Sequence, residues 1–103
     1  HVHKVDAPSG TAVKLAESLI NEIKRKNKWK KEKGEGADEI PVKSIREDEV
    51  PGIHRVMYTS SFDEIELKHS AKSREGFALG AVMAAEFIHD KKGIYSMDDL
   101  LNI

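Results

Sequence analysis

Apolar side chains recur every three to four residues near the start of the chain, which is the spacing of one helix face. This spacing predicts an amphipathic helix from residue 12 to about residue 26. The residues that set it are Ala12, Ala16, Leu19 and Ile23. Just before them, residues 6–11 contain Ser, Thr and Asp side chains, whose oxygens can accept the unpaired N–H groups of a first helical turn. The pattern therefore predicts a capped first helix.

Three segments with the character of strands follow, at residues 40–47, 53–60 and 62–70. In the last of them Ile65 and Leu67 alternate with Glu64 and Glu66, a period of two that is typical of a sheet with one covered and one wet face. The linkers at residues 50–52 and 60–61 are short enough to join antiparallel neighbours. We therefore expect a three-stranded meander.

A second helix is predicted from residue 73 to about residue 90, where apolar residues again share one face. Gly76 and Gly80 lie within it, and each costs roughly 1 kcal/mol relative to alanine, so we expect a close approach to a sheet or another helix. Ser96 and Asp99 resemble a capping box that opens a short terminal helix. The expected fold is α+β, with two main helices packed on an open, mixed or antiparallel sheet.

The composition fits a soluble globular chain with room for one domain, residues 1–103. A formal charge of −1 argues against global attraction to nucleic acid or membrane surfaces, and the absence of cysteine excludes disulfides and thiol chemistry. No apolar run approaches the ~20 residues that span a bilayer, and no signal peptide is visible, so we expect a cytoplasmic protein. The chain begins with His1 inside a dense polar motif, which favours a fragment of a longer protein.

Residues 24–33 carry seven basic side chains and one acidic one, with Trp29 among them. A phosphate or nucleic-acid patch is one interpretation. A solvated helix end followed by a loop is the favoured one, because cations are stabilising near a helix C-terminus. The chain has no Gly-x-Gly-x-x-Gly or Walker sequence, so no nucleotide fold of its own is expected.

The strongest candidate for chemistry is the segment from His1 to Ala12. Lys4 lies a few residues before the turn formed by Ser9, Gly10 and Thr11, which opens the first helix. An ammonium, two hydroxyls and unpaired N–H groups can converge there on an anion, and a glycine permits close approach. The alternative is an ordinary capped helix with an exposed lysine. We expect no metal site from His1, His3, His54 and His69, because Lys4 adds a cation beside the first two histidines and lone strand histidines usually find ordinary hydrogen bonds.

The segment from His1 to Ala12 resembles the signature of the dihydrodipicolinate reductase family, Glu-x-His-His-x-x-Lys-x-Asp-x-Pro-Ser-Gly-Thr-Ala. The resemblance continues in Val-Pro-Gly-Ile-His-Arg-Val at residues 50–56, in Ile-Glu-Leu-Lys-His-Ser-Ala-Lys-Ser-Arg at 65–74, and in Phe-Ala-Leu-Gly-Ala at 77–81. It implies the carboxy-terminal part of an enzyme that uses NADH or NADPH to reduce 4-hydroxy-tetrahydrodipicolinate in lysine and diaminopimelate biosynthesis. An absent amino-terminal Rossmann domain would bind the nucleotide. This part would bind the small dicarboxylate substrate and form homotetramers.

Carried over by position, the resemblance gives Lys4 the role of the catalytic, substrate-binding lysine. His1 resembles the second histidine of the family's pair, which contacts substrate; the first, a proton donor, would precede it. Gly10 and Thr11 resemble the carboxylate-binding turn, and Ser9 adds a contact. We therefore expect this polypeptide alone to lack reductase activity. A catalytically silent binding or oligomerisation module is the alternative function.

Overall fold

The computed structural model describes all 103 residues and contains three helices and four strands. The elements in chain order are α1 (Gly10–Glu22), β1 (Lys28–Lys31), β2 (Glu39–Val42), β3 (Ile53–Thr59), β4 (Glu64–Ser70), α2 (Glu75–Ile88) and α3 (Met97–Leu101). The expected α+β class with two main helices is confirmed.

Helix α1 is confirmed but shifted: it begins at Gly10, two residues before the predicted start, and ends about four residues before the predicted end. It is capped by Ser9. The Ser9 hydroxyl accepts a hydrogen bond from the N–H of Ala12 at 3.2 Å, and the Ser9 carbonyl accepts from Val13 at 3.0 Å. The helix ends at Glu22, because Ile23 leaves the helical conformation (φ −100°, ψ 95°). It packs against β1 and β2, and Ala16 on this face is buried.

The first sheet is a parallel pair, β1 with β2, in which Lys28 lies beside Glu39 and Lys31 beside Val42. Two expectations are wrong here. The lysine-rich segment contains a strand rather than only a helix end and a loop, and β2 pairs with that strand rather than joining a three-stranded meander. The predicted strand at residues 40–47 also ends early, at Val42. The partner strand stops at Lys31, because Glu32 turns the chain in the left-handed region (φ 64°).

The second sheet is the antiparallel hairpin of β3 and β4, which confirms pairing between the second and third predicted strands. Val56 faces Leu67, and Tyr58 faces Ile65. Ser60 closes the hairpin, since its hydroxyl accepts from the N–H groups of Phe62 at 3.0 Å and Asp63 at 3.1 Å. The predicted covered face is not found within the chain: every residue of β4 is exposed.

Helices α2 and α3 pack on each other, and the predicted capping box is present at α3. The Ser96 hydroxyl accepts from the Asp99 N–H, while the Asp99 carboxylate accepts from the Ser96 N–H at 2.6 Å. The expected close approach at Gly76 and Gly80 is absent, because a Cβ built at either glycine meets nothing within 4 Å.

The chain buries little of its own apolar surface. Only Ala16 and Glu39 are buried, and the radius of gyration is 16.4 Å, whereas a compact domain of this length has about 13 Å. The exposed large apolar residues of the hairpin and α2 include Met57, Ile65, Leu67, Phe77, Leu79 and Val82. No helix is both long enough and apolar enough to cross a membrane.

Candidate functional site

The first turn of α1 offers unpaired backbone donors, as the sequence predicts. Ser9 satisfies the N–H groups of Ala12 and Val13. The N–H groups of Gly10 and Thr11 donate to no acceptor in the protein. Both residues line an open depression of about 430 Å³, together with Lys14, Leu15 and Ser18. The helix dipole adds positive potential at this end, so the turn favours an anion.

Gly10 leaves the approach to these donors clear. A Cβ built on Gly10 meets no atom within 4 Å, so the fold itself does not need a glycine there. A ligand oxygen that approaches the backbone would meet a side chain at this position. The small residue therefore matters for access rather than for packing.

Lys4 lies outside the helix and forms an ion pair with Asp6, with 2.7 Å between Lys4 Nζ and Asp6 Oδ1. The hydrogen bond from Lys4 is the main reason that the pKa of the Asp6 carboxyl lies below its ordinary value. The Lys4 side chain is 38% exposed, so its ammonium can also reach a second anion. The structure shows no hydrogen bond between Lys4 and the turn at residues 9–11.

Sequence reasoning missed the segment at residues 46–50, which lies along the motif. Arg46 Nη2 donates to the carbonyl of Asp6 at 2.5 Å, and His3 Nε2 lies 2.7 Å from Glu49 Oε1. The carbonyls of Asp48 and Val50 accept from the backbone nitrogens of Val2 at 3.0 Å and His1 at 3.4 Å. No local signal could have found these contacts, because the contacting residues are 40 or more positions apart.

The four histidines considered above for a metal site lie in two separate places in the structure. The rings of His1 and His3 are 5.9 Å apart beside the motif, whereas His54 pairs with His69 across the hairpin. The His1 Nδ1 atom is buried and has no hydrogen-bond partner. Nowhere do three His, Asp or Glu side chains come together as a possible set of metal ligands.

The basic segment at residues 24–33 is organised around one acidic side chain and does not contact the motif. Lys28 Nζ and Lys30 Nζ each lie 3.2 Å from Glu39 Oε1. The N–H groups of Glu35 and Gly36 donate to Glu39 Oε2 at 3.0 and 3.2 Å. These bonds, led by that from Gly36, lower the pKa of Glu39 from 4.5 to about 2. This one carboxylate therefore offsets only part of the segment's positive charge, that of Lys28 and Lys30.

The chain does not fit a nicotinamide dinucleotide. Such a cofactor binds where a glycine-rich turn joins a parallel strand to a helix. The parallel strands β1 and β2 are joined by residues 32–38, which form no helix. The cofactor that the resemblance implies would have to be bound by other residues.

Comparison with known proteins agrees with the motif. The family described as "Dihydrodipicolinate reductase, C-terminus" matches residues 1–101. Proteins named 4-hydroxy-tetrahydrodipicolinate reductase are similar along nearly the whole chain. The one from Christiangramia forsetii is 49% identical over 99% of this chain and 42% of its own length. Those from Archaeoglobus fulgidus and Methanopyrus kandleri are 47% and 46% identical over 98% of this chain, and over 42% and 38% of their own lengths.

The chain thus spans about two fifths of the length of these curated relatives. The family match covers both the turn at residues 9–11 and the hairpin with α2. On this evidence the chain belongs to the family of the dihydrodipicolinate reductase C-terminus.

Proposed function

We propose that this chain is the substrate-binding part of a reductase that converts 4-hydroxy-tetrahydrodipicolinate to tetrahydrodipicolinate in lysine and diaminopimelate biosynthesis. The observation that carries the proposal is the open turn at Gly10 and Thr11, whose N–H groups have no acceptor in the protein. The relatives named 4-hydroxy-tetrahydrodipicolinate reductase support the choice of substrate. NADH or NADPH would serve as reductant, bound outside these residues.

A carboxylate joins the two halves of the proposed site. The turn presents unpaired N–H donors and Lys4 presents an ammonium, so a carboxylate between them can accept from both. The N–H groups of Gly10 and Thr11 would hold one oxygen, the Ser9 and Thr11 hydroxyls lie on the same turn, and Lys4 would supply the positive charge. The substrate is a dicarboxylate, which matches this donor set.

Lys4 and His1 are the proposed polar groups nearest the reacting ring. The Lys4 ammonium would bind the substrate and stabilise negative charge that develops during reduction, which is the role proposed for the catalytic lysine. His1 would contact the substrate through its ring, as its match to the second histidine of the family's pair implies. Ser9 acts chiefly by capping α1, which fixes the direction of the free N–H groups.

We also propose that the hairpin and α2 form the interface of a homotetramer. Their apolar residues are exposed in the single chain, as Leu67 at 60% and Phe77 at 52% show. Gly76 and Gly80 leave open space on α2 for a close neighbour. Small sheets with uncovered apolar faces are stabilised by association.

The test is an assay of NAD(P)H oxidation by the full-length gene product, with enzymatically generated 4-hydroxy-tetrahydrodipicolinate. We expect reduction by the full-length protein and none by residues 1–103 alone, because the nucleotide site is lacking here. Absence of turnover in a folded full-length protein would overturn the reductase assignment. Full turnover by residues 1–103 alone would overturn the proposal that NADH or NADPH is bound outside these residues.

A further inference from the structure

We propose that Arg46 is a positioning residue that fixes Lys4 through Asp6, an inference that rests on the proposed function. Arg46 Nη2 donates to the Asp6 carbonyl at 2.5 Å, and the carboxylate of the same Asp6 holds Lys4 Nζ at 2.7 Å. Arg46 thus binds the backbone of Asp6, while the Asp6 side chain orients Lys4.

The guanidinium of Arg46 donates to backbone carbonyls of the chain itself. Its Nη1 donates to the carbonyl of Ile45 at 2.9 Å, and its Nε is buried without a partner. A substrate oxygen therefore has no access to Nε, and Nη1 and Nη2 each already donate to a carbonyl. Both hydrogen bonds of the side chain are thus made to backbone carbonyls of the chain, one of them within the motif.

Residues 48–50, which closely follow Arg46 in the chain, are held against the motif by their own contacts. Asp48 and Val50 accept hydrogen bonds from the backbone of Val2 and His1, and Glu49 pairs with His3 at 2.7 Å. Together with Arg46, the segment thus contacts the motif on both sides of Lys4, at residues 1–3 and at Asp6. Lys4 lies between these two anchors, on a stretch with no regular secondary structure of its own.

The interaction predicts coupling between Arg46 and Lys4 in ligand binding. In the full-length protein, the affinity for pyridine-2,6-dicarboxylate is measured by calorimetry for Arg46→Ala, Lys4→Ala and the double variant. We expect Arg46→Ala to weaken binding by about fivefold, in the range of coupling between residues of one hydrogen-bonded network. In the Lys4→Ala background the same change should have almost no effect, because the group that Arg46 positions is gone.

A purely structural role for Arg46 would weaken binding equally in both backgrounds, and that result would overturn the proposal. Arg46→Lys should restore much of the affinity, since one ammonium can still donate to the Asp6 carbonyl. If Arg46→Ala lowers the folded fraction, the cycle is run with Arg46→Gln, whose amide is uncharged; additivity there would equally overturn the proposal. Arg55→Ala is the matched control, because Arg55 pairs with Glu66 on the hairpin at 3.2 Å, and we expect no change in affinity.

The same experiment separates this inference from the proposed function. If the folded, unmutated full-length protein neither binds the diacid nor reduces 4-hydroxy-tetrahydrodipicolinate, the proposed function fails. If the full-length protein binds the diacid and reduces the substrate, but the effects of Arg46→Ala and Lys4→Ala on affinity are additive, only the proposed role of Arg46 fails. In steady-state assays we expect Arg46→Ala to raise KM and lower kcat together, as we also expect for Lys4→Ala. In the Lys4→Ala background, Arg46→Ala should leave both KM and kcat unchanged.

Discussion

Lys30 Nζ lies 3.2 Å from Glu39 Oε1, across the two strands of the parallel sheet. Glu39 is one of only two buried residues in the chain, and Lys28 approaches the same oxygen. The buried carboxylate therefore organises a segment that is otherwise rich in positive charge.

This relationship predicts acid sensitivity of the first sheet. The pKa of Glu39 is lowered to about 2 in the folded chain, from 4.5, so its stabilising contribution is fully present above pH 4.5 and is lost as the pH falls through about 2. We expect amide hydrogen exchange of residues 28–42, followed by mass spectrometry, to accelerate over this interval beyond its intrinsic pH dependence. Glu39→Gln should show faster exchange already at neutral pH, because two lysines lose their counterion. The exposed Glu86→Gln is the control, and equal exchange in the two variants would contradict the prediction.

Lys4→Ala should weaken binding of pyridine-2,6-dicarboxylate to the full-length protein by about ten- to a hundredfold. A hydrogen bond to a charged group contributes roughly 1.5–3 kcal/mol, and this one would be lost. Calorimetric titration is the measurement. Lys31→Ala is the matched control, since Lys31 has no ion-pair partner in the chain and lies in β1. A Lys4 variant that binds as tightly as the unmutated protein, together with a Lys31 variant that does not, would place the site elsewhere.

Gly10→Val should weaken diacid binding by roughly tenfold, about 1.4 kcal/mol, while thermal unfolding changes little. The added Cβ meets no protein atom within 4 Å, and the branched side chain would cover the donors that the ligand needs. Gly10→Ala should have a smaller effect in the same direction. Ser18→Val lies in the same depression, about 12 Å further along the helix axis, and should leave affinity unchanged. Equal losses at both positions would indicate that the ligand occupies the depression rather than the turn.

Gly80→Leu should dissociate the proposed tetramer without unfolding the chain. A Cβ built at Gly80 meets no atom within 4 Å in the single chain, so we expect a leucine there to clash with a neighbouring subunit that approaches α2 closely. Sedimentation velocity of the full-length protein measures the change, with circular dichroism to confirm retained helix. Glu86→Leu places the same side chain on another face of α2 and should leave the assembly intact. Retention of the tetramer in Gly80→Leu would exclude this face of α2 from the interface.

Local patterns predicted the elements whose stabilising contacts are local. The helix spacing and the cap at Ser9 located the start of α1, and the alternation of Ile65 and Leu67 located β4. The Ser96 and Asp99 box was visible because both partners lie within one turn. In these cases, the residues that form the contact are neighbours in the sequence.

The remaining structure depends on partners that lie far apart or outside the chain. The sequence Lys-Trp-Lys-Lys of β1 lacks apolar alternation, and its pairing depends on Glu39, a charged residue that a hydrophobic pattern assigns to solvent. Arg46 lies within the strand predicted at residues 40–47, because nothing near it in the sequence indicates its hydrogen bond to Asp6. The covered face expected for β4 was wrong for this chain because no segment of it packs there.

The bond between Arg46 and Asp6 joins residues 40 positions apart, which has a consequence for biosynthesis. At roughly 5–20 residues per second, the ribosome adds those 40 positions in about 2–8 s. During that interval the motif has been synthesised without the segment that anchors it, while α1 can already form behind it. Translation speed across residues 7–46 therefore sets how long the nascent chain carries an unanchored Lys4, and slow codons there would prolong its exposure to proteases and chaperones.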